Sequence, residues 1–390
     1  MTDVLRRLFP PRPATPVVAP GIYQRRIVAD PSSPTRLHLR IEPDGRGLMI
    51  VNASTVLHLN PTAAAHAWLL VRGEPVEAAA EWISRRFRTS RARALDDARL
   101  VRDQIEALAE GDDHDPVVVM GVERAEPFAE RPRLPYRLDI ALTYRDSARE
   151  AADRRAPRRV RRELDTAEWN AVLDQAWSLG IPHVVFTGGE PTLRSDLAAL
   201  IRHAEALGMV TGVVTRGEPL AEPQRLRQLA RAGVDHLLVV ADPQRPASMR
   251  GLRRAVASDV FAAAHLTLDP TKASRLERDL AALQAAGVTH ISASAPPVRS
   301  GEAVLRRASQ AIADLGLILI WDLPVPFASH NPIRLESGAR PEARAWLYVE
   351  PDGDVYPAAG DPVALGNVLN HPLDELWRRD GEATTRRPRG

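Results

Sequence analysis

The stretch His183-Val-Val-Phe-Thr-Gly-Gly-Glu-Pro-Thr-Leu-Arg194 predicts a short buried strand that ends in a sharp turn. Thr187 leaves the strand, and Gly188-Gly189 allows a tight turn whose backbone amides and carbonyls are exposed. Ser195 or Asp196 can then cap a helix over residues 196–207. Ligands of α/β proteins bind at the C-terminal ends of parallel strands, so this turn is a candidate binding site.

Strands and helices alternate on both sides of this turn, over residues 136–322. The predicted strands are 137–142, 183–186, 210–215, 236–240, 261–268, 290–293 and 317–321, and the predicted helices are 165–179, 196–207, 222–232, 274–286 and 302–315. This alternation predicts an α/β fold with a parallel sheet curled into a full or partial (β/α) barrel of the TIM type.

The segments outside the barrel differ in character. Residues 1–21 are rich in proline and predict a flexible lead-in. Residues 22–110 predict a small winged-helix (α+β) domain, with strands 36–41, 48–51 and 55–59 before helices 61–71, 75–87 and 92–109. Residues 111–135 predict a linker. Residues 323–380 predict a C-terminal extension with a hairpin that turns at Asp352-Gly353 and a short helix 373–377, and residues 381–390 predict a disordered tail.

The turn and its surroundings resemble the radical S-adenosylmethionine (radical SAM) family. The resemblance rests on Thr187-Gly-Gly-Glu-Pro-Thr-Leu-Arg194, the helix after it, and Val213-Val-Thr-Arg-Gly217. It implies that the turn holds the amino group of the methionine part of S-adenosylmethionine. The cofactor-binding residues implied in this way are Gly188, Gly189, Glu190, Pro191 and Thr215.

Two further resemblances concern the flanking segments. The strand–helix junction His58-Leu-Asn-Pro-Thr-Ala63, within residues 22–110, resembles the PqqD-like domain, which binds the leader of a ribosomally made peptide. The mechanism implied is β-augmentation, with strand 36–41 or 48–51 at a sheet edge and helix 92–109 beside it. The end of the chain resembles the SPASM or twitch extension of peptide maturases, but Ala358-Ala359 stands where a cysteine normally follows Tyr-Pro.

The chain contains no cysteine. In the family that it resembles, three cysteines after the first barrel strand hold a four-iron cluster, and the matching positions here are Asp146, Glu150 and Asp153. Carboxylates favour hard cations such as Mg²⁺, not iron–sulfide clusters, which thiolates hold. We therefore expect no iron–sulfur cluster, no radical initiation and no catalytic residue, with at most weak binding of S-adenosylmethionine.

The acidic trio leaves a metal site open as an alternative. On a helix its members would share one face, where three carboxylates could bind a divalent ion. The many interleaved arginines favour a solvated, salt-bridged face instead. Other acid–base candidates at predicted strand ends are Asp242, Asp269, Ser294 and Asp322, each more simply a helix cap or turn residue; His183 and His290 are expected to be structural, and Trp169 and Trp177 to be core residues.

Composition narrows the function classes. With 390 residues, 44% of them hydrophobic and 26% charged, the sequence is that of a globular protein with two or three domains. The absence of a long apolar run or signal-peptide core predicts a cytoplasmic protein without a membrane partner. A net charge of +2, with Lys272 as the only lysine, gives no sign of a nucleic-acid partner.

These observations favour a cluster-less relative of radical peptide maturases that binds a leader or precursor peptide as a partner, chaperone or scaffold. Two alternatives stay open. One is an enzyme that uses S-adenosylmethionine without a cluster, or a divalent metal at the acidic trio. The other is a relic that stabilises an active radical SAM paralogue by pairing with it.

Overall fold

The computed structural model describes residues 16–27, 35–51, 55–109, 132–146, 160–320, 324–325, 327, 330–337 and 345–386. The chain divides into two compact units, residues 1–126 and 127–390. Glu150, Asp153 and Asp322 lie outside the described residues, as does most of the predicted linker. None of the helices described is long and apolar enough to cross a membrane.

The first unit contains a four-stranded antiparallel sheet in the order β1-β2-β3-β4. Its strands are β1 (Gly21–Ile27), β2 (Thr35–Ile41), β3 (Gly47–Val51) and β4 (Thr55–Leu59). Three helices follow, α1 (Pro61–Val71), α2 (Val76–Ser84) and α3 (Arg91–Ala109). Asn60 caps α1 by accepting hydrogen bonds from the N–H groups of Thr62 and Ala63. Alternate strand residues and the helices form one apolar core.

Two expectations for this unit were wrong. The strands proposed as sheet edges, β2 and β3, are interior, and the edges are β1 and β4. Strand β1 was not predicted from the sequence, because Gln24-Arg25-Arg26 interrupts its apolar pattern. The lead-in is also partly packed, because Val18 is buried in the core of this unit.

The second unit contains a ten-stranded sheet whose order is β11-β10-β9-β8-β7-β6-β5-β12-β13-β14. Strands β5 to β11 are parallel, and their bounds are Arg137–Thr143, His183–Gly188, Val210–Thr215, His236–Val240, Phe261–Thr267, His290–Ser294 and Ile318–Leu319. Among the described residues the sheet does not close on itself, so the architecture is an α/β partial barrel.

The helices of the second unit are α4 (Thr166–Ser178), α5 (Leu197–Leu207), α6 (Pro223–Ala232), α7 (Pro246–Val256), α8 (Leu276–Ala285) and α9 (Arg299–Asp314). Leu138, Ile140 and Leu142 of β5 face the main apolar core, which includes the fully buried Trp169 and is contacted by Trp177. The core role expected for both tryptophans is confirmed. Helix α7 has no counterpart among the predicted helices.

The C-terminal extension continues the barrel sheet. Strand β12 (Trp346–Val349) runs parallel to β5, and β13 (Asp354–Tyr356) and β14 (Gly366–Asn367) follow it in antiparallel pairing. The predicted hairpin at Asp352-Gly353 is confirmed. After α10 (Pro332–Ser337), the last helix, α11, spans Leu373–Arg386. The expectation of a short helix and a disordered tail from residue 381 was therefore wrong as far as Arg386.

Candidate functional site

The glycine turn at the end of β6 is filled by the chain itself. Strand β6 continues through Gly188, because Gly188 pairs with Thr143 of β5. The N–H of Gly189 donates to the Thr143 carbonyl at 2.7 Å, and the N–H of Glu190 donates to the Arg145 carbonyl at 2.9 Å. The sequence predicted a turn with exposed backbone groups, but the N–H groups of Gly189 and Glu190 are already hydrogen-bonded within the chain.

Both glycines are required by the close approach of the β5 segment. A Cβ at Gly188 would lie 2.2 Å from the Thr143 carbonyl oxygen, and one at Gly189 would lie 2.2 Å from the Arg145 carbonyl oxygen. Gly188 also has φ +120°, in the region that L side chains avoid. The Gly-Gly pair thus binds the loop after β5 tightly against the turn.

Glu190 is enclosed by donors. Its carboxylate accepts from the Thr215 hydroxyl at 2.9 and 3.0 Å, from the Arg216 N–H at 2.9 Å, and from the Thr192 hydroxyl at 2.6 Å. The side chain is 2% exposed, and this burial raises the pKa of Glu190 although the hydrogen bonds oppose it. The structure brings Glu190, Pro191 and Thr215 together, but the Thr215 hydroxyl donates its hydrogen bond to the Glu190 carboxylate. Their roles in cofactor binding stay predictions.

Asp146, the first position of the acidic trio, forms an ion pair with Arg216. Arg216 Nη2 lies 2.8 Å from Asp146 Oδ2, and the two side chains are 21% and 8% exposed. The pair joins the loop after β5 to the end of β7. Since the same Arg216 donates its N–H to Glu190, one residue connects the glycine turn to the expected cluster position.

A second buried network lies under this loop. The Arg194 side chain, 8% exposed, donates to the carbonyls of Leu142 and Leu164 at 3.1 and 3.0 Å and makes two hydrogen bonds to Asp196. Asp196 also accepts from the Thr166 hydroxyl at 2.7 Å. Asp196, one of the two caps predicted, is the N-cap residue of α5, but its side chain makes no capping hydrogen bond because Arg194 and Thr166 bind its carboxylate. These hydrogen bonds hold the pKa of Asp196 below its usual range.

The barrel interior contains a buried histidine that the sequence analysis missed. His265 is fully buried, with Nδ1 3.0 Å from Ser292 Oγ and Nε2 within 3.2 Å of Thr267 Oγ1 and Ser294 Oγ. Burial lowers the pKa of His265 to about 3, so the ring is neutral at ordinary pH. Ser294, an acid–base candidate, therefore belongs to this internal cluster.

A small apolar cluster lies on the face of the strands opposite to the main apolar core. In it, Val325 packs against Val185, Val214, Leu238 and Ala263 of four barrel strands. Val325 thus covers part of this strand face.

The remaining sequence candidates have simple structural roles. Asp269 caps a 3₁₀ turn by accepting from Thr271, and Asp242 accepts from the Gln244 N–H. His183 begins β6 and makes an edge-to-face ring contact with His236, and His290 begins β10 and makes one with Phe261. Among the residues that the structure describes, no three His, Asp or Glu side chains are grouped as metal ligands.

The residues present do not fit an iron–sulfur cluster. No thiolate exists anywhere in the sequence, and the first cluster position is taken by a carboxylate already paired with a guanidinium. For S-adenosylmethionine the fit is partial, because the glycine turn is preserved while the cluster that would bind the methionine end has no ligands.

Comparison with known proteins agrees with this architecture. Residues 145–242 match the Radical SAM superfamily. A PqqA peptide cyclase from Xanthomonas campestris is 29% identical over 261 residues, covering 58% of this chain and 68% of the relative. The crystal structure of Streptococcus suis SuiB bound to S-adenosylmethionine superimposes with a TM-score of 0.59 at 15% identity, covering 87% of this chain and 86% of SuiB. SuiB bound to its precursor peptide SuiA gives a TM-score of 0.57 at 14% identity, covering 90% and 88%.

These matches relate residues 145–242 to the Radical SAM superfamily, and they show that 58% of the chain is similar to a peptide cyclase. The α/β partial barrel predicted from sequence is confirmed. The likeness to SuiB supports the fold.

Proposed function

We propose that this protein is a radical SAM-related pseudoenzyme that binds a leader or precursor peptide in ribosomal peptide modification, without radical chemistry of its own. The observation that carries the proposal is the Asp146–Arg216 ion pair at the first cluster position of a chain without cysteine. A radical SAM reaction starts with an electron delivered through the cluster, and neither ligands nor electron route are available here.

The first unit is the proposed peptide-binding part, with a PqqD-like role. Helix α3 packs against β3, whose outer neighbour is the edge strand β4 (Thr55–Leu59). We place the incoming leader on β4, because β2 and β3 are interior strands. A leader strand there would extend the sheet through backbone hydrogen bonds, and its alternate side chains would face α3. SuiB, whose structure is known with its precursor peptide, supports a peptide as the partner.

N-methylated peptides test this binding mode on the full chain. A candidate leader methylated at the amides that face the β4 edge should lose binding in calorimetry, because methylation removes the N–H donors of the leader. The same leader methylated at the intervening amides is the control and should bind as before. Hydrogen exchange should protect residues 55–59. Equal binding of both methylated peptides would contradict the proposal.

An enzyme that uses S-adenosylmethionine without a cluster is the second candidate, favoured by the preserved glycine turn. Binding through the turn alone should be weak, because each charged hydrogen bond contributes only about 1.5–3 kcal/mol. A submicromolar dissociation constant by calorimetry would favour this second candidate. The SPASM-like role of residues 323–380 and the pairing with an active paralogue remain further proposals.

A further inference from the structure

A basic groove lies on the outer face of the second unit, between α5 and α6. Arg202 of α5 and Arg227 and Arg231 of α6 line a depression of about 420 Å³. Among the residues that the structure describes, no carboxylate lines this open groove.

The three groove arginines differ from arginines elsewhere on the same unit. Arg245 pairs with Glu218 at 2.7 Å, and Arg307 is paired with Glu277 at 2.6 Å. Within the described part of the chain, Arg202, Arg227 and Arg231 have no such partner. Arg227 and Arg231 are also four residues apart on one helix, where like charges repel. A ligand that carries negative charge would relieve this repulsion.

The rest of the lining selects the kind of anion. Ala198 and Ala232, both buried, contribute methyl groups, and Gln224 and Gln228 offer amide donors and acceptors. None of the described residues that line the groove is aromatic, and single-stranded nucleic acids bind largely by stacking on aromatic side chains. Methyl groups, amides and guanidinium groups together suit a peptide backbone with carboxylate side chains.

We propose that this groove binds an acidic peptide segment, whose Asp or Glu carboxylates pair with Arg202, Arg227 and Arg231. The glutamines would hydrogen-bond the peptide backbone, and the alanines would contact its side-chain stems. This inference is independent of the first unit and of any cofactor. It would give the protein a second docking surface that recognises charge.

Fluorescence anisotropy of labelled hexaglutamate with the full chain is the direct test. Wild type should bind it more weakly as salt is raised, and the double variant Arg227→Glu with Arg231→Glu should bind at least about tenfold more weakly. The matched control reverses Arg253 and Arg254, two exposed arginines of α7 that have no ion-pair partner in the described part of the chain and do not line this groove. Its affinity should equal that of wild type.

A neutral double variant, Arg227→Gln with Arg231→Gln, keeps the test decisive if charge reversal disturbs folding. Labelled hexaglutamine, which lacks carboxylates, should bind neither wild type nor the variants. The proposal is overturned if hexaglutamate does not bind, if the control loses as much affinity as the groove variants, or if a single-stranded RNA 12-mer binds the groove more tightly than the peptide.

Discussion

Arg216 Nη2 lies 2.8 Å from Asp146 Oδ2, so an ion pair occupies the place where the first cluster ligand of a radical SAM protein is expected. The pair connects the loop after β5 with the end of β7. Because the Arg216 N–H also binds the Glu190 carboxylate, the pair and the glycine turn form one network. The loop after β5 is thus joined to the glycine turn through Arg216.

A double-mutant cycle measures what this pair contributes. Asp146→Ala and Arg216→Ala should each lower the free energy of unfolding by about 1–3 kcal/mol, since each leaves a largely buried charge without its partner. The double variant should be less destabilised than the sum of the two single variants. Denaturant titrations of all four proteins give the coupling. Additive effects would show that the pair contributes nothing.

Gly189→Ala should destabilise the turn and weaken binding of S-adenosylmethionine. The new Cβ would lie 2.2 Å from the Arg145 carbonyl oxygen, and the loss expected from such crowding is about 1–3 kcal/mol. Gly316→Ala is the control, because a Cβ there meets no atom within 4 Å and only its φ of +65° is strained. Thermal unfolding and calorimetry compare the two. A Gly189 variant as stable as wild type would contradict the close contact between Gly189 and the Arg145 carbonyl.

His265 should make the protein sensitive to acid. Its folded pKa is about 3, whereas an unfolded histidine titrates near about 6.5. Between these values the unfolded chain binds the extra proton, so stability is fully present above about pH 6.5 and is lost as pH falls, by up to about 1.4 kcal/mol per pH unit. His236, with a pKa of about 4, adds a second contribution of the same sign.

The measurement is the free energy of unfolding between pH 4 and pH 7. His265→Gln should reduce the pH slope by one proton. A His265 variant with the wild-type slope would show that the ring is protonated, or accessible to water, in the folded protein.

Much of the barrel could be predicted because its strands are short apolar runs. Strands β7 and β8 occupy the residues predicted for them. Helix α7 was missed because Gly251 lies in its middle and glycine disfavours helix. The structure shows why that glycine is there: a Cβ at Gly251 would lie 1.7 Å from the Gly217 carbonyl oxygen. A close approach between distant segments overrides local propensity and leaves no local pattern in the sequence.

The candidate site was predicted only in part for a similar reason. The turn at Gly188-Gly189 has a local signature, so its position was found, but its partners lie more than forty residues away. Asp146 and Arg216 come together only because β5, β6 and β7 are neighbours in the sheet. Nothing in the sequence near Asp146 identifies Arg216 among the many arginines of the chain.

The iron and sulfide content after anaerobic reconstitution tests the central claim most directly. Purified protein, incubated with iron and sulfide under reducing conditions and desalted, should contain neither in stoichiometric amount and should show no visible charge-transfer absorption. A cysteine-bearing radical SAM maturase treated in parallel is the positive control and should acquire both. One cluster per chain, accompanied by release of 5′-deoxyadenosine from S-adenosylmethionine, would contradict the account.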